Sequence, residues 1–256
     1  MHQNKTKAKL LAGETAFGCF VRYPDAGLIE LLGHLGWDFL VFDGEHGPLE
    51  PRDCEHMVRA AELSGATPIV RVTTNQAHVI LRFMDTGAQG AQVPVVNSAD
   101  DAKAIVQSVK YHPRGVRGLA GVRASGYGQK GPLADYIQQA NAETLVIIHI
   151  ETADAVDRIP EIVAVEGVDV VFIGPTDLSQ SLGFPGQVQH AKVQSAIERV
   201  VDTVAGAKPE LGIFVSDPEI AMQWQDRGAR YIATSLEAVL RPATQNFLEV
   251  VRSERP

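Results

Sequence analysis

The chain has 256 residues, of which 45% are hydrophobic and 21% charged, and its net charge is -8. That length suits one α/β barrel and can bury a sizeable core. The acidic balance argues against a phosphate-backbone partner, because nucleic-acid binders present a basic face. The two cysteines, Cys19 and Cys54, form no C-x-x-C pair, so neither a zinc site nor a disulfide framework is indicated. Reduced thiols are expected. The opening MHQNKTKAKLLAG lacks the apolar core of a signal peptide, and no apolar run reaches membrane-spanning length. A cytoplasmic protein without nucleic-acid or membrane partners is expected.

Eight short apolar runs follow one another: Ala16–Val21, Phe39–Phe42, Pro68–Val72, Ala91–Val95, Leu145–Ile150, Val168–Ile173, Gly212–Val215 and Tyr231–Thr234. Most are rich in Val, Ile or Phe, as parallel strands buried on both faces are. Helical patterns lie between them, among them Ala26–Leu35, Arg52–Leu63, Asp100–Val109 and Val188–Val204. Ser98 and Asp217-Pro218 read as helix starts, Gly65 and Gly228 as stops. Eight strands alternating with helices predict a single-domain (β/α)₈ TIM barrel over residues 1–256. One connection is unusually long. From Tyr111 to about Asp135 the chain is rich in glycine and arginine, and loops of that length are usually functional or disordered.

Barrel chemistry sits where strands end on the carboxyl face. The second strand ends in Asp43-Gly44-Glu45-His46, which places a histidine suited to proton transfer at such an end. The plain alternative is an exposed turn. Arg71 lies in an apolar run, where an unpaired guanidinium is costly to bury. It therefore meets either a keto-acid carboxylate or a structural acid such as Asp43 or Glu45. The fifth and sixth strands end in His149-Ile150-Glu151 and Gly174-Pro175-Thr176-Asp177. Glu151 and Asp177 are thus carboxylates at neighbouring strand ends, a donor pair that suits Mg²⁺, Mn²⁺ or a similar ion. Taken singly, Glu151 is a helix-start acid and Asp177 a turn residue; together they favour a metal. Alternation along a strand points His149 and Glu151 the same way. His149 is then a third ligand, a partner behind a ligand, or a satisfied barrel histidine, and the last two are preferred.

The ordered set Gly36-Trp37-Asp38-Phe39 through His46, Pro68–Val72, Pro113–Gly118, Ile150-Glu151-Thr152, Val165–Asp169 and Val171–Ser179 resembles the 4-hydroxy-2-oxoheptanedioate aldolase family of metal-dependent pyruvate aldolases. The similarity runs from about Gly18 to about Leu240. It implies a modified barrel assembled as a hexamer, with the last helix exchanged between partners. It also implies a divalent ion (Mg²⁺, Mn²⁺ or Co²⁺) on Glu151 and Asp177, and Arg71 against the bound keto acid. By the same resemblance, His46 assists proton transfer with Asp43 beside it. The turn at Gly174, Pro175 and Thr176 offers amides to the pyruvate carboxylate, with His149 close by. The family usually has glutamine where His149 stands, and a small or aromatic residue where this chain has Phe20-Val21-Arg22-Tyr23. Arg22 meets either a second acidic group on the substrate or a surface partner. No lysine falls at an expected strand end, which disfavours Schiff-base chemistry. Two other readings are a lyase acting on a hydroxyacyl-coenzyme A and a non-catalytic keto-acid-binding barrel.

Overall fold

The computed structural model describes residues 1–253; residues 254–256, which the expected domain includes, lie outside the described residues. Eight parallel strands close in chain order into a barrel. They are β1 (Ala16–Val21), β2 (Phe39–Asp43), β3 (Thr67–Arg71), β4 (Gly90–Val93), β5 (Leu145–Ile150), β6 (Val170–Ile173), β7 (Glu210–Phe214) and β8 (Tyr231–Ser235). All eight expected strands are present, with ends shifted by a residue or two. The end of β4 comes two residues earlier than expected. Pro94 has no N–H for the ladder, and Val95 turns into the left-handed region at φ 54°.

Alternation along each strand divides the core in two. Phe39 and Val41 of β2, Ile69 of β3, Leu145 and Ile147 of β5, Phe172 of β6 and Tyr231 of β8 fill the barrel interior. Leu40, Phe42, Val70, Ile148, Val171 and Ile232, one residue out of step, pack under the surrounding helices. That is why the strands read as continuous apolar runs. The interior is tight: a Cβ at Gly18 would come 2.0 Å from the Phe39 ring, which itself stacks on Tyr231 with centroids 4.0 Å apart.

The predicted helices are found at Ala26–His34, Pro51–Ser64, Ala99–Val109 and Ala191–Val204. Ser98 and Asp217 cap helices with their side chains, and Gly65 ends one at φ 87°. The pattern Val188–Val204 loses its first residues because His190 caps the helix there. Sequence patterning missed the helix Lys5–Leu11, whose buried face is largely polar. Asn4 donates to the backbone oxygens of Gln89 and Glu143, Thr6 bonds Thr67, and Leu10 enters the barrel interior. This helix closes the end of the barrel opposite the strand carboxyl ends.

The long connection is ordered. Arg117 is buried, 2.7 Å from Asp85 and 4.8 Å above the Tyr111 ring, and Arg123 donates to Thr86 O at 2.8 Å. A short 3₁₀ segment, Arg123–Gly128, precedes the helix Leu133–Glu143. The last helix, Leu236–Ser253, buries only Leu236 among its described residues. Among the described residues no helix is long and apolar enough to cross a membrane.

Candidate active site

Strand parity decides which side chains meet at the carboxyl mouth. Asp43 follows the inward Phe39 and Val41, Arg71 follows Ile69, Glu151 follows Ile147 and His149, and Gly174 follows Phe172. Lateral register then sets Asp43 beside Arg71, Arg71 beside Gln92, and His149 beside Phe172. These columns open into a cavity of ≈ 290 Å³. Asp43, His46, Arg71, His149, Glu151, Gly174, Pro175, Thr176 and Asp177, all singled out from sequence, line it. Among the described residues, no lysine lines this cavity.

Arg71 meets the structural acids of one reading and also borders the cavity. Its Nε and Nη2 donate to the two Asp43 oxygens at 2.8 and 2.6 Å, and Nη1 lies 3.2 Å from Glu45. Its guanidinium also lies 4.8 Å above the Phe20 ring while it faces the cavity. The structural ion pair thus holds the cation at the site. Asp43 Oδ1 further accepts the backbone N–H groups of Glu45 and His46, each at 3.1 Å. Burial pushes the Asp43 carboxyl up, but the Arg71 guanidinium and the His46 N–H outweigh it and hold it below the usual carboxylate range. Asp43 is therefore an ionised anchor for Arg71 and for the turn. Its contact with His46 is through the backbone, and the imidazole projects into the exposed mouth. Glu45 behaves oppositely: burial raises it, Arg71 pulls it down, and the Glu151 charge raises it again.

Glu151 is 3% exposed. Its Oε1 accepts the Val95 N–H at 2.7 Å, and its Oε2 lies 3.2 Å from His149 Nδ1. Burial raises this carboxyl, but His149 and the Val95 N–H outweigh burial and hold it down. Gly174 makes room for it, since a Cβ there would sit 2.7 Å from Oε2. Asp177 is exposed in the first turn of the helix Pro175–Ser181. Pro175 has no N–H, and the Thr176 and Asp177 amides precede the first intrahelical bond, which Leu178 N makes to Gly174 O.

Among the described residues, no group of three or more His, Cys, Asp or Glu side chains converges as a metal cage. Glu151 and Asp177 instead border one open cavity, and each Glu151 oxygen has a single hydrogen-bond donor. Two hard carboxylates with free lone pairs fit a divalent ion that keeps waters or takes substrate oxygens. His149 lies on the same side of β5 as Glu151, as strand alternation implied, and touches it through Nδ1.

Phe172, Phe214 and Ser235 also line the cavity and were not anticipated. The signal was present in part, because Phe172 lies two residues before Gly174 on the same inward column. Arg22 lines the cavity too and pairs with Glu237 at 2.8 Å through Nη2. Glu237 comes from the last helix, a contact that sequence order does not reveal.

The profile of the HpcH/HpaI aldolase/citrate lyase family matches residues 16–240. A hydroxypyruvate/pyruvate aldolase of Roseobacter denitrificans is 36% identical over 239 residues, covering 93% of this chain and 92% of the relative. A 4-hydroxy-2-oxo-heptane-1,7-dioate aldolase of Shigella sonnei is 35% identical over 240 residues, covering 93% and 90%. The crystal structure of an HpcH/HpaI aldolase/citrate lyase family protein from Burkholderia cenocepacia J2315 superposes with a TM-score of 0.92 at 35% identity, covering 98% of this chain and all of that one. With its barrel mouth lined as described, this chain belongs to the HpcH/HpaI aldolase/citrate lyase family of carbon–carbon lyases.

Proposed function

We propose that the chain cleaves a 4-hydroxy-2-oxo acid to pyruvate and an aldehyde, and runs the reverse condensation, with a divalent ion held by Glu151 and Asp177. The observation that carries this reading is the meeting of those two carboxylates, a clamped Arg71 cation and His46 at one barrel mouth. A bound divalent ion supplies Lewis acidity toward the keto-acid oxygens. The Thr176 and Asp177 amides receive the substrate carboxylate at a helix start, where orphan N–H groups favour an anion. Arg71, fixed by Asp43 and Glu45, offsets the negative charge that develops on the keto oxygen as the C3–C4 electron pair leaves. His46 accepts the proton of the C4 hydroxyl, and the enolate left by the break takes up a proton at C3 from solvent to give pyruvate. In condensation pyruvate gives up a C3 proton to solvent, and His46 returns its proton to the oxygen of the aldehyde. The acceptor half then points across the mouth toward Phe20, Phe214 and Arg22.

For the assembly, a second copy of this chain covers the last helix. Val239, Leu240, Phe247 and Val250 on it are exposed, and an apolar cavity of ≈ 570 Å³ bordered by Phe17, Trp37, Met222 and Val239 lies beside it. This supports association of copies through the final helix, the element that the family resemblance has exchanged within a hexamer. A pyruvate-release assay on 4-hydroxy-2-oxo acids tests the chemistry. Cleavage should stop on chelation and return with Mg²⁺ or Mn²⁺; full activity in metal-free protein would refute the metal role.

A further inference from the structure

Three polar side chains run among the apolar residues of the barrel interior, and the reaction outlined above uses none of them directly. Tyr231 is fully buried at the start of β8, Gln92 is fully buried on β4, and His149 is 1% exposed on β5. Gln92 Nε2 donates to Tyr231 Oη at 2.8 Å, and Gln92 Oε1 lies 2.9 Å from His149 Nε2. The other imidazole nitrogen, Nδ1, lies 3.2 Å from Glu151 Oε2. A carboxylate oxygen and an amide oxygen both only accept, so in this arrangement each ring nitrogen is a donor, Nδ1–H to Glu151 and Nε2–H to Gln92 Oε1. The three groups form one unbranched chain that ends on the carboxylate assigned to the metal.

Burying polar groups in this layer is costly unless each is bonded. A barrel layer needs only volume, and aliphatic side chains supply it. The chain of bonds is therefore an expense that packing alone does not explain. Its geometry leaves Glu151 little freedom. Phe172 stacks on the imidazole with centroids 4.8 Å apart, and Gln92 holds the ring by Nε2, so Nδ1–H is aimed at Oε2. On the other side, Val95 is held at φ 54°, a strained conformation for a β-branched residue, and from there its N–H reaches Oε1 at 2.7 Å. Gly174 closes the third side.

We infer that Tyr231, Gln92 and His149 are positioning residues that lock the Glu151 carboxylate in its ligating orientation. This rests on the reading of Glu151 as a metal ligand. Glu151 borders the cavity, and each of its oxygens keeps lone pairs beyond the one engaged by Val95 or His149. Partners behind a ligand fix its orientation, and their loss weakens metal binding by roughly 10–100-fold.

The test is a calorimetric Mn²⁺ titration of the full chain, with the EPR spectrum of the bound ion recorded on the same samples. Gln92→Leu removes the middle of the relay, and Tyr231→Phe removes only its terminal hydroxyl while keeping the ring. Gln92→Leu is expected to weaken Mn²⁺ binding by roughly 10–100-fold, to change the EPR pattern, and to raise the pyruvate KM in condensation more than it lowers kcat. Tyr231→Phe, which keeps the interior packed, should shift Mn²⁺ affinity in the same direction by a smaller factor. Should Gln92→Leu fail to fold, Tyr231→Phe carries the test alone. Folded variants that bind Mn²⁺ as tightly as the unaltered chain, with an identical spectrum, overturn the relay. If the unaltered chain takes up no Mn²⁺, the assignment of Glu151 as a ligand fails and the relay falls with it.

Discussion

At the scale of single residues, the mouth of the barrel separates holding from reacting. Asp43 receives four donors and is kept ionised, so it anchors Arg71 and the turn and has little capacity to take a proton. His46 is tied to the same turn only by its backbone, which leaves the imidazole free at the exposed edge. If the ring moves the substrate proton, His46→Ala should lower single-turnover cleavage by roughly 10²–10⁴-fold, the usual range for a positioned acid or base. Metal and pyruvate binding should stay near normal, because neither the Arg71 clamp nor Glu151 uses this side chain. Parallel loss of pyruvate affinity and thermal stability would instead mark His46 as a structural turn residue.

Whole elements depend on joints placed away from the site, at the amino ends of the strands. Lys110, just past the helix Ala99–Val109, buries its amine and donates to Asn141 O at 3.0 Å and to Thr144 O, at the carboxyl end of the helix Leu133–Glu143. Desolvation lowers this amine to about 8, although Asp169 pulls the other way. The unfolded chain keeps the proton up to the ordinary value of 10.5, whereas the folded chain gives it up above about 8. Between those values the unfolded state binds more protons, so this group makes the fold more stable as pH rises. Below about 8 the folded state bears the whole cost of the buried charge. Lys110→Met should flatten the rise in unfolding free energy between pH 8 and 10, measured by denaturant titration. An unchanged slope would show that the amine is solvated.

For the molecule as a whole, the last helix is the least satisfied part of a single chain. Phe247 is 66% exposed, and Val239, Leu240, Val250 and Val251 accompany it on an 18-residue helix that buries only Leu236. Large exposed apolar faces mark interaction surfaces. Phe247→Asp should therefore shift the sedimentation profile to smaller species. It should also reduce activity, since Glu237, the partner of Arg22 at the mouth, belongs to the same helix. A monomeric unaltered chain at micromolar concentration would remove the second copy from this account.

The order of strands, the barrel closure and the residues at the strand ends were legible in sequence, because local chemistry dictates them. Runs such as Leu145–Ile150 are apolar on both faces only if both faces are buried, and a polar residue ending such a run must face the one wet end. Parity alone put His149 and Glu151 on one side. Other features depend on neighbours distant in the chain. The helix Lys5–Leu11 went unseen because its buried face bonds Thr67, Gln89 and Glu143 and carries little apolar periodicity. Gln92 was not singled out in sequence, being one amide in an apolar run, and it acquires a role because barrel closure sets it against both Tyr231 and His149. Arg71 left two readings open, a structural pair or a ligand contact. The tertiary structure placed Asp43, Glu45 and the cavity around one guanidinium, because β2 and β3 pair in a register that sets Asp43 beside it. Sequence determines which groups lie at the mouth through strand period and burial, whereas lateral register and closure decide which of them touch.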